Sequence, residues 1–194
     1  DPGGSVYFEQ LTWKIASPFN PVAFHAAWDA LAERHPILRS ALWLDGSEPL
    51  QFVRRDATLP WRDLDWRDLD EETQTEALER LLAEERGAGF DLTPPPLLRC
   101  LLVRLEDDAW QFVLGFHHML LDGWSLPILF RDLMLLYGSR STDLPPAAPY
   151  EHYIAWLQEQ DHAAARIHWR DVIEDFDSPR TVPQTRSRAK RPSP

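Results

Sequence analysis

The segment from Trp110 to Tyr137 constrains this chain more than any other. Trp110-Gln111-Phe112-Val113-Leu114-Gly115-Phe116 is a run of strand-forming residues, and Pro127 to Tyr137 carries a helical pattern. Between them stands Phe116-His117-His118-Met119-Leu120-Leu121-Asp122-Gly123-Trp124-Ser125. Strand, turn and helix in that order place two imidazoles and a carboxylate at a strand end, among apolar neighbours. Adjacent side chains on a strand point to opposite faces, so one histidine should face a cavity while the other packs into the fold. Asp122-Gly123 predicts a bend in which glycine tolerates close approach and unusual dihedrals. Ser125 and Pro127 read as a helix cap and a first-turn proline.

The bulk composition narrows the class. Of 194 residues 44% are hydrophobic, with nine Trp and nine Phe, enough for one globular domain with a substantial core. The net charge is -11, and five basic residues after Asp177 (Arg180, Arg186, Arg188, Lys190, Arg191) leave residues 1–178 at -16. An acidic body argues against a nucleic-acid partner, because phosphate binding requires positive potential. Cys100 is the single cysteine, so no internal disulfide forms; its apolar setting marks it as a core residue rather than a nucleophile. No signal sequence is visible and no apolar run approaches the ~18 residues of a membrane span, so a soluble cytoplasmic protein is expected, without a membrane partner. The chain opens on Asp1, and the expectation is that it begins inside a longer protein.

Taken in order, Val6 to Ile15 reads as a strand, and Asn20-Pro21 as the cap and first turn of a helix. Phe24, Ala27, Trp28 and Leu31 form that helix's apolar face, with His25 off the stripe and expected to be exposed. Arg34-His35-Pro36-Ile37-Leu38-Arg39 makes a helix-to-strand turn before a strand from Ser40 to Leu44. A short strand from Leu50 to Arg54 precedes an irregular tryptophan-rich connector, Leu59 to Trp66. A charged helix spans Asp70 to Arg86, with Leu78, Leu81 and Leu82 as its apolar stripe and Gly87 and Gly89 closing it. Pro94-Pro95-Pro96 breaks the chain before strands Leu97 to Leu105 and Trp110 to His117, joined by a turn at Asp107-Asp108. Beyond the central segment come a proline-rich loop (Ser139 to Pro149), an aromatic helix from Tyr150 to Gln158 and a helix from Ala163 to Ile173. Residues 1–178 are expected to form one lobe, and 179–194 a basic, proline-rich linker or tail.

The motifs carry a family resemblance. His-His-x-x-x-Asp-Gly followed by Trp-Ser resembles the signature of the condensation domains of nonribosomal peptide synthetases. Its HxxxD core is shared with the wider superfamily that includes chloramphenicol acetyltransferase. Arg34-His35-Pro36-Ile37-Leu38-Arg39 resembles the RHxxLR motif of the same domains, with Pro36 where acids are common. The aromatic helix from Tyr150 resembles a third motif. The likeness covers Val6 to Asp177 and corresponds to the N-terminal lobe, so a second lobe is expected beyond this chain.

The resemblance implies an α/β sandwich, a chloramphenicol acetyltransferase-like lobe whose mixed sheet is packed with helices. It implies amide formation between two carrier-bound thioesters, with His118 as the active-site histidine. Histidine ordinarily titrates near ~6.5, so an imidazole can accept or steer an amine proton around neutrality. Asp122 is expected to pair with Arg34 or Arg39 behind the loop. Gly123 is expected to let the loop approach the substrates, where its N–H could hold an oxyanion. His117 and Trp124 take supporting roles. The implied partners are donor and acceptor peptidyl carrier domains, the C-terminal lobe and an adenylation domain. No cofactor is expected on this lobe, since the substrates ride on the carriers' phosphopantetheine. No metal is expected either: His118 and Asp122 lack a third ligand at suitable spacing. With half of the tunnel absent, the isolated chain is expected to be inactive. Two alternatives stand beside this reading: a non-catalytic truncated module that binds carrier proteins, and an epimerisation domain, which shares the histidine motif.

Overall fold

The computed structural model describes residues 7–16 and 18–174. The chain divides into two compact units, Asp1–Tyr150 and Glu151–Pro194. The expected boundary after residue 178 and the basic tail lie outside the described residues.

The first unit is built on a four-stranded mixed sheet. Strands β1 (Phe8–Ala16), β2 (Ser40–Trp43), β3 (Leu50–Val53), β4 (Trp61–Asp65), β5 (Leu98–Arg104) and β6 (Ala109–His117) follow in chain order. The main sheet runs β1-β6-β5-β4, while β2 and β3 form a separate antiparallel pair. Strand β6 is antiparallel to both neighbours, with Phe8 opposite His117 in β1 and Leu98 opposite Phe116 in β5. Strand β4 joins the far edge in parallel, Trp61 opposite Cys100. The mixed sheet packed with helices is therefore as expected, but β4 occupies most of the segment read as an irregular connector. Its sequence, Trp-Arg-Asp-Leu-Asp, hides the strand because it lies at an edge, where charged side chains remain wet and discourage further pairing. It also pairs with a partner that arrives almost forty residues later, which no local pattern announces.

Both faces of the central strands are buried, and the strict alternation of side chains assigns each residue to one face. Cys100 and Leu102 of β5 and Phe112, Leu114 and Phe116 of β6 join the larger core, with Phe24, Trp28 and Leu31 of helix α1 (Pro21–Arg34) and Leu129 and Leu133 of helix α3 (Ser125–Tyr137). Leu101, Val103 and Val113 meet Leu81 of helix α2 (Glu71–Ala88) on the opposite face. Cys100 is buried, and that burial pushes its thiol well above the ordinary value, which suits packing rather than nucleophilic attack.

Helix α1 starts as the sequence indicates. Asn20 Oδ1 accepts from the Ala23 N–H at 3.1 Å and Pro21 occupies the first turn. The Asn20 N–H donates to the Tyr137 hydroxyl at 2.8 Å, so the start of α1 is tied to the end of α3. His25 is not simply exposed. Its ring stacks on Trp61 at 3.8 Å and its Nε2 lies 3.1 Å from Asp63 Oδ1, because β4 passes beneath it. Helix α2 is capped by Asp70, which accepts from the Thr73 N–H at 2.8 Å. It continues through Gly87 and is closed by Gly89 alone, whose φ of 55° favours glycine.

One buried charge joins α1 to α3. Asp132 has no solvent exposure, and its Oδ2 lies 3.0 Å from Arg34 Nε and 2.9 Å from His35 Nε2. Its Oδ1 accepts from Arg131 at 2.9 and 2.7 Å. Burial raises the pKa of Asp132, but hydrogen bonds from Arg131, Arg34 and His35 outweigh it and hold the carboxyl below its ordinary range.

Helices α4 (Tyr150–Gln158) and α5 (His162–Glu174), which apart from Tyr150 belong to the second unit, lie close to the expected positions. Tyr153 and Trp156 stack at 5.8 Å, as their spacing on one face of α4 requires.

Removing the buried carboxylate leaves two cations facing each other, so Asp132→Ala is expected to cost about 3–5 kcal/mol in guanidinium unfolding at pH 7. The folded pKa lies below the unfolded one, so the charged carboxylate stabilises above the ordinary carboxylate pKa. That contribution disappears as pH falls through the depressed value. The stability gap between wild type and Asp132→Asn should therefore narrow on acidification; a gap constant from neutral pH to about pH 2 would refute the assignment.

Candidate active site

The candidate site sits where β6, hydrogen-bonded on both sides, leaves the sheet. The His117 N–H donates to the Leu97 carbonyl at 2.9 Å, and the His118 N–H to the Tyr7 carbonyl at 2.7 Å. Each histidine backbone is thus pinned to a different neighbouring segment, and the chain then turns. Leu120 and Leu121 anchor the turn by burying their side chains in the larger core.

The two imidazoles differ in burial. His117 is partly buried, its ring 5.9 Å from that of Tyr7, and its Nδ1 accepts from the Met119 N–H at 3.2 Å. An accepting Nδ1 needs its lone pair, which places the ring proton on Nε2 in the neutral form. Burial pushes the His117 pKa below the ordinary imidazole value, and the neighbouring His118 adds to the effect. His118 is exposed. Of the pair, His117 is the one that packs and His118 the one left at the surface.

Asp122 departs from its expected role. It pairs with neither arginine; its Oδ1 accepts from the Trp124 N–H at 3.1 Å, the Ser125 N–H at 2.7 Å and the Ser125 hydroxyl at 2.6 Å. The Ser125 hydroxyl and N–H, with smaller help from the Trp124 N–H, hold its carboxyl below the ordinary range. Helix α3 begins at Ser125, so the capping oxygen comes from Asp122 and Ser125 is inside the helix rather than its cap. The physical reason is reach. A carboxylate three residues ahead of a helix start meets the free N–H groups of the first turn without ordering a long side chain.

The two arginines are satisfied elsewhere. Arg34 holds Asp132 and also donates to the Pro145 carbonyl. Arg39 donates to the carbonyls of Ala32 at 2.9 Å, Arg54 at 2.5 Å and Arg55 at 3.1 Å, fastening the end of α1 to the segment that follows β3. Trp124 is 86% exposed, and its bond to Asp122 comes from the backbone N–H. Gly123 has no positive φ, so the bend does not require glycine for its dihedrals. A Cβ there would meet nothing within 4 Å.

Asp132 belongs to none of the motifs. Its signal in the sequence is nevertheless present: Arg131-Asp132 interrupts an otherwise apolar helix, and a carboxylate there must find partners. Among the described residues, no group of three or more His, Cys, Asp or Glu side chains is arranged to hold a metal ion. No described helix is long and apolar enough to cross a membrane.

Known proteins match this chain closely. The family model described as condensation domain matches residues 1–193. A linear gramicidin synthase of Brevibacillus parabrevis is 40% identical over 92% of this chain, and chondramide synthase of Chondromyces crocatus is 38% identical over 91%. The chain spans only 4% and 5% of those two proteins. Among solved structures, the SgcC5 protein of Streptomyces globisporus is 27% identical and superposes with a TM-score of 0.71 over 89% of this chain and 41% of its own. The cyclization-docking bidomain of EpoB from Sorangium cellulosum shares the fold at 22% identity, TM-score 0.74, over 87% of this chain and 34% of its own. A family match along nearly its whole length, with the histidine motif carried on the fold those structures share, makes this chain a member of the condensation-domain family.

Proposed function

We propose that the chain is the N-terminal lobe of a condensation domain that forms amide bonds between carrier-bound acyl groups in a nonribosomal peptide synthetase. The observation that supports this most is the exposed His118 imidazole at the end of β6, with its neighbour His117 packed and hydrogen-bonded. In the reaction the acceptor's amine nitrogen attacks the donor's thioester carbonyl carbon. A C–N bond forms, the C–S bond breaks, and the amine proton passes by way of His118 to the departing thiolate. A neutral imidazole suits both halves of that transfer, and its fixed backbone keeps the ring where the amine arrives.

Asp122 acts on this chemistry as a positioning residue. By holding the first turn of α3 it fixes the loop that carries His118. Gly123 leaves space on the outer side of that loop, so a substrate carbonyl can approach the backbone. Arg34, Arg39 and Trp124 do not touch Asp122 through their side chains. The acyl groups are delivered on phosphopantetheine arms by donor and acceptor carrier domains, with an adenylation domain supplying the amino acid. A second lobe completes the tunnel, and the whole works in the cytoplasm. The isolated chain is expected to turn over no substrate.

In the complete synthetase, His118→Ala should abolish dipeptide formation while carrier loading continues; undiminished condensation would remove His118 from the mechanism. The capping role of Asp122 separates two substitutions. Asn offers the same accepting oxygen to the helix start, so Asp122→Asn should keep most of the activity, whereas Asp122→Ala should lose about 100-fold in kcat through misplacement of the loop. Equal losses in both variants would favour a charge-dependent role. Gly123→Val should leave thermal stability unchanged, because its side chain points into open space, and lower condensation only through blocked substrate approach.

A further inference from the structure

The loop that presents His118 has a second side. Leu120 and Leu121 form one wall of a cavity of about 360 Å³, with Ile128 of α3, Ile37 of the turn after α1 and Pro145 completing an apolar lining. That volume is within the range of small-molecule sites, and the balance of apolar walls with a few polar groups is typical of them. Arg34, His35, Arg131 and Asp132 make its polar end. Asp132 is sealed from solvent and committed to its three donors, so a visitor meets two guanidinium groups against one fully engaged carboxylate. The charged side chains that line the cavity are Arg34, Arg131 and Asp132, two cations against one anion with the imidazole uncharged. Arg131 gives Nε and one terminal nitrogen to Asp132, while its other terminal nitrogen has no partner among the described residues and its side chain is 51% exposed.

We infer that this cavity binds small amphipathic monoanions of the medium-chain carboxylate class, the tail lying along Leu121 and Ile128 and the carboxylate on Arg131. The apolar walls require a tail, which free phosphate or sulfate lacks. The single open guanidinium edge suits one carboxylate through charge-assisted hydrogen bonds. The site rests on the geometry of the first unit and is independent of the condensation reading.

Octanoate is the probe, with methyl octanoate as its uncharged counterpart, followed by saturation-transfer NMR and calorimetry on the 194-residue chain. Octanoate is expected to bind with a Kd of about 1 mM or tighter. Arg131→Gln should weaken it at least about 10-fold, since it removes the anchor while Arg34 and His35 still hold Asp132. Ile128→Asp, at a half-exposed wall position, should abolish binding by repelling both tail and charge. Melting temperatures of both variants near wild type establish that they fold, and a collapse of one leaves the other as the test. Absence of octanoate binding up to about 10 mM overturns the proposal. So does equal binding of the methyl ester, or binding that neither variant changes.

Discussion

The carboxylate of Asp132, shut inside the first unit, is the contact on which the arrangement of helices over the sheet depends. An unpartnered charge in that position would be driven to protonate or to open the fold. Here Arg34 and His35 reach it from the end of α1, and Arg131 wraps back from the preceding residue of α3. The hydrophobic contacts of Trp28, Leu31, Leu129 and Leu133 bring the two helices near one another, but apolar burial is non-directional. Hydrogen bonds to one carboxylate add direction. They fix the rotation of α3 and the path of the turn after α1, and Arg34 extends the bond set to the Pro145 carbonyl.

The loop that carries His118 is held differently. Its restraints are local: Leu120 and Leu121 are sunk in the core, and Asp122 closes on the N–H groups at the start of α3. Because α3 is oriented by Asp132 and the loop is attached to α3, two carboxylates ten residues apart divide the work. One orients the helix and the other joins the loop to it. His118 is the residue this leaves facing solvent, and His117 takes up the space beneath with its Nδ1 engaged by the Met119 N–H.

Much of this is legible in the sequence because it is local or periodic. The stripe of Phe24, Ala27, Trp28 and Leu31 identifies the buried face of α1, and Asn20-Pro21 its beginning. Alternation separates His117 from His118 without any knowledge of tertiary contacts. Strand β4 escapes such a reading because an edge strand keeps its charges wet and pairs with a distant segment. The setting of His25 escapes it for the same reason, since only that strand places Trp61 under its ring. The partners of Arg34 and Arg39 are equally beyond reach. Both arginines have several acceptors within side-chain length, and Arg39 ends on backbone carbonyls, which every residue offers equally.

The order of residues by itself determined the family and the strand–turn–helix that presents His118. These follow from spacing, and spacing is written in the chain. Tertiary structure alone decided which carboxylate each arginine holds, that Asp122 serves a helix start, and that a cationic cavity lies on the Leu120–Leu121 side of the loop. Such choices depend on distances between segments far apart in the chain, where burial sets the strength of a charge contact and sequence carries no measure of either.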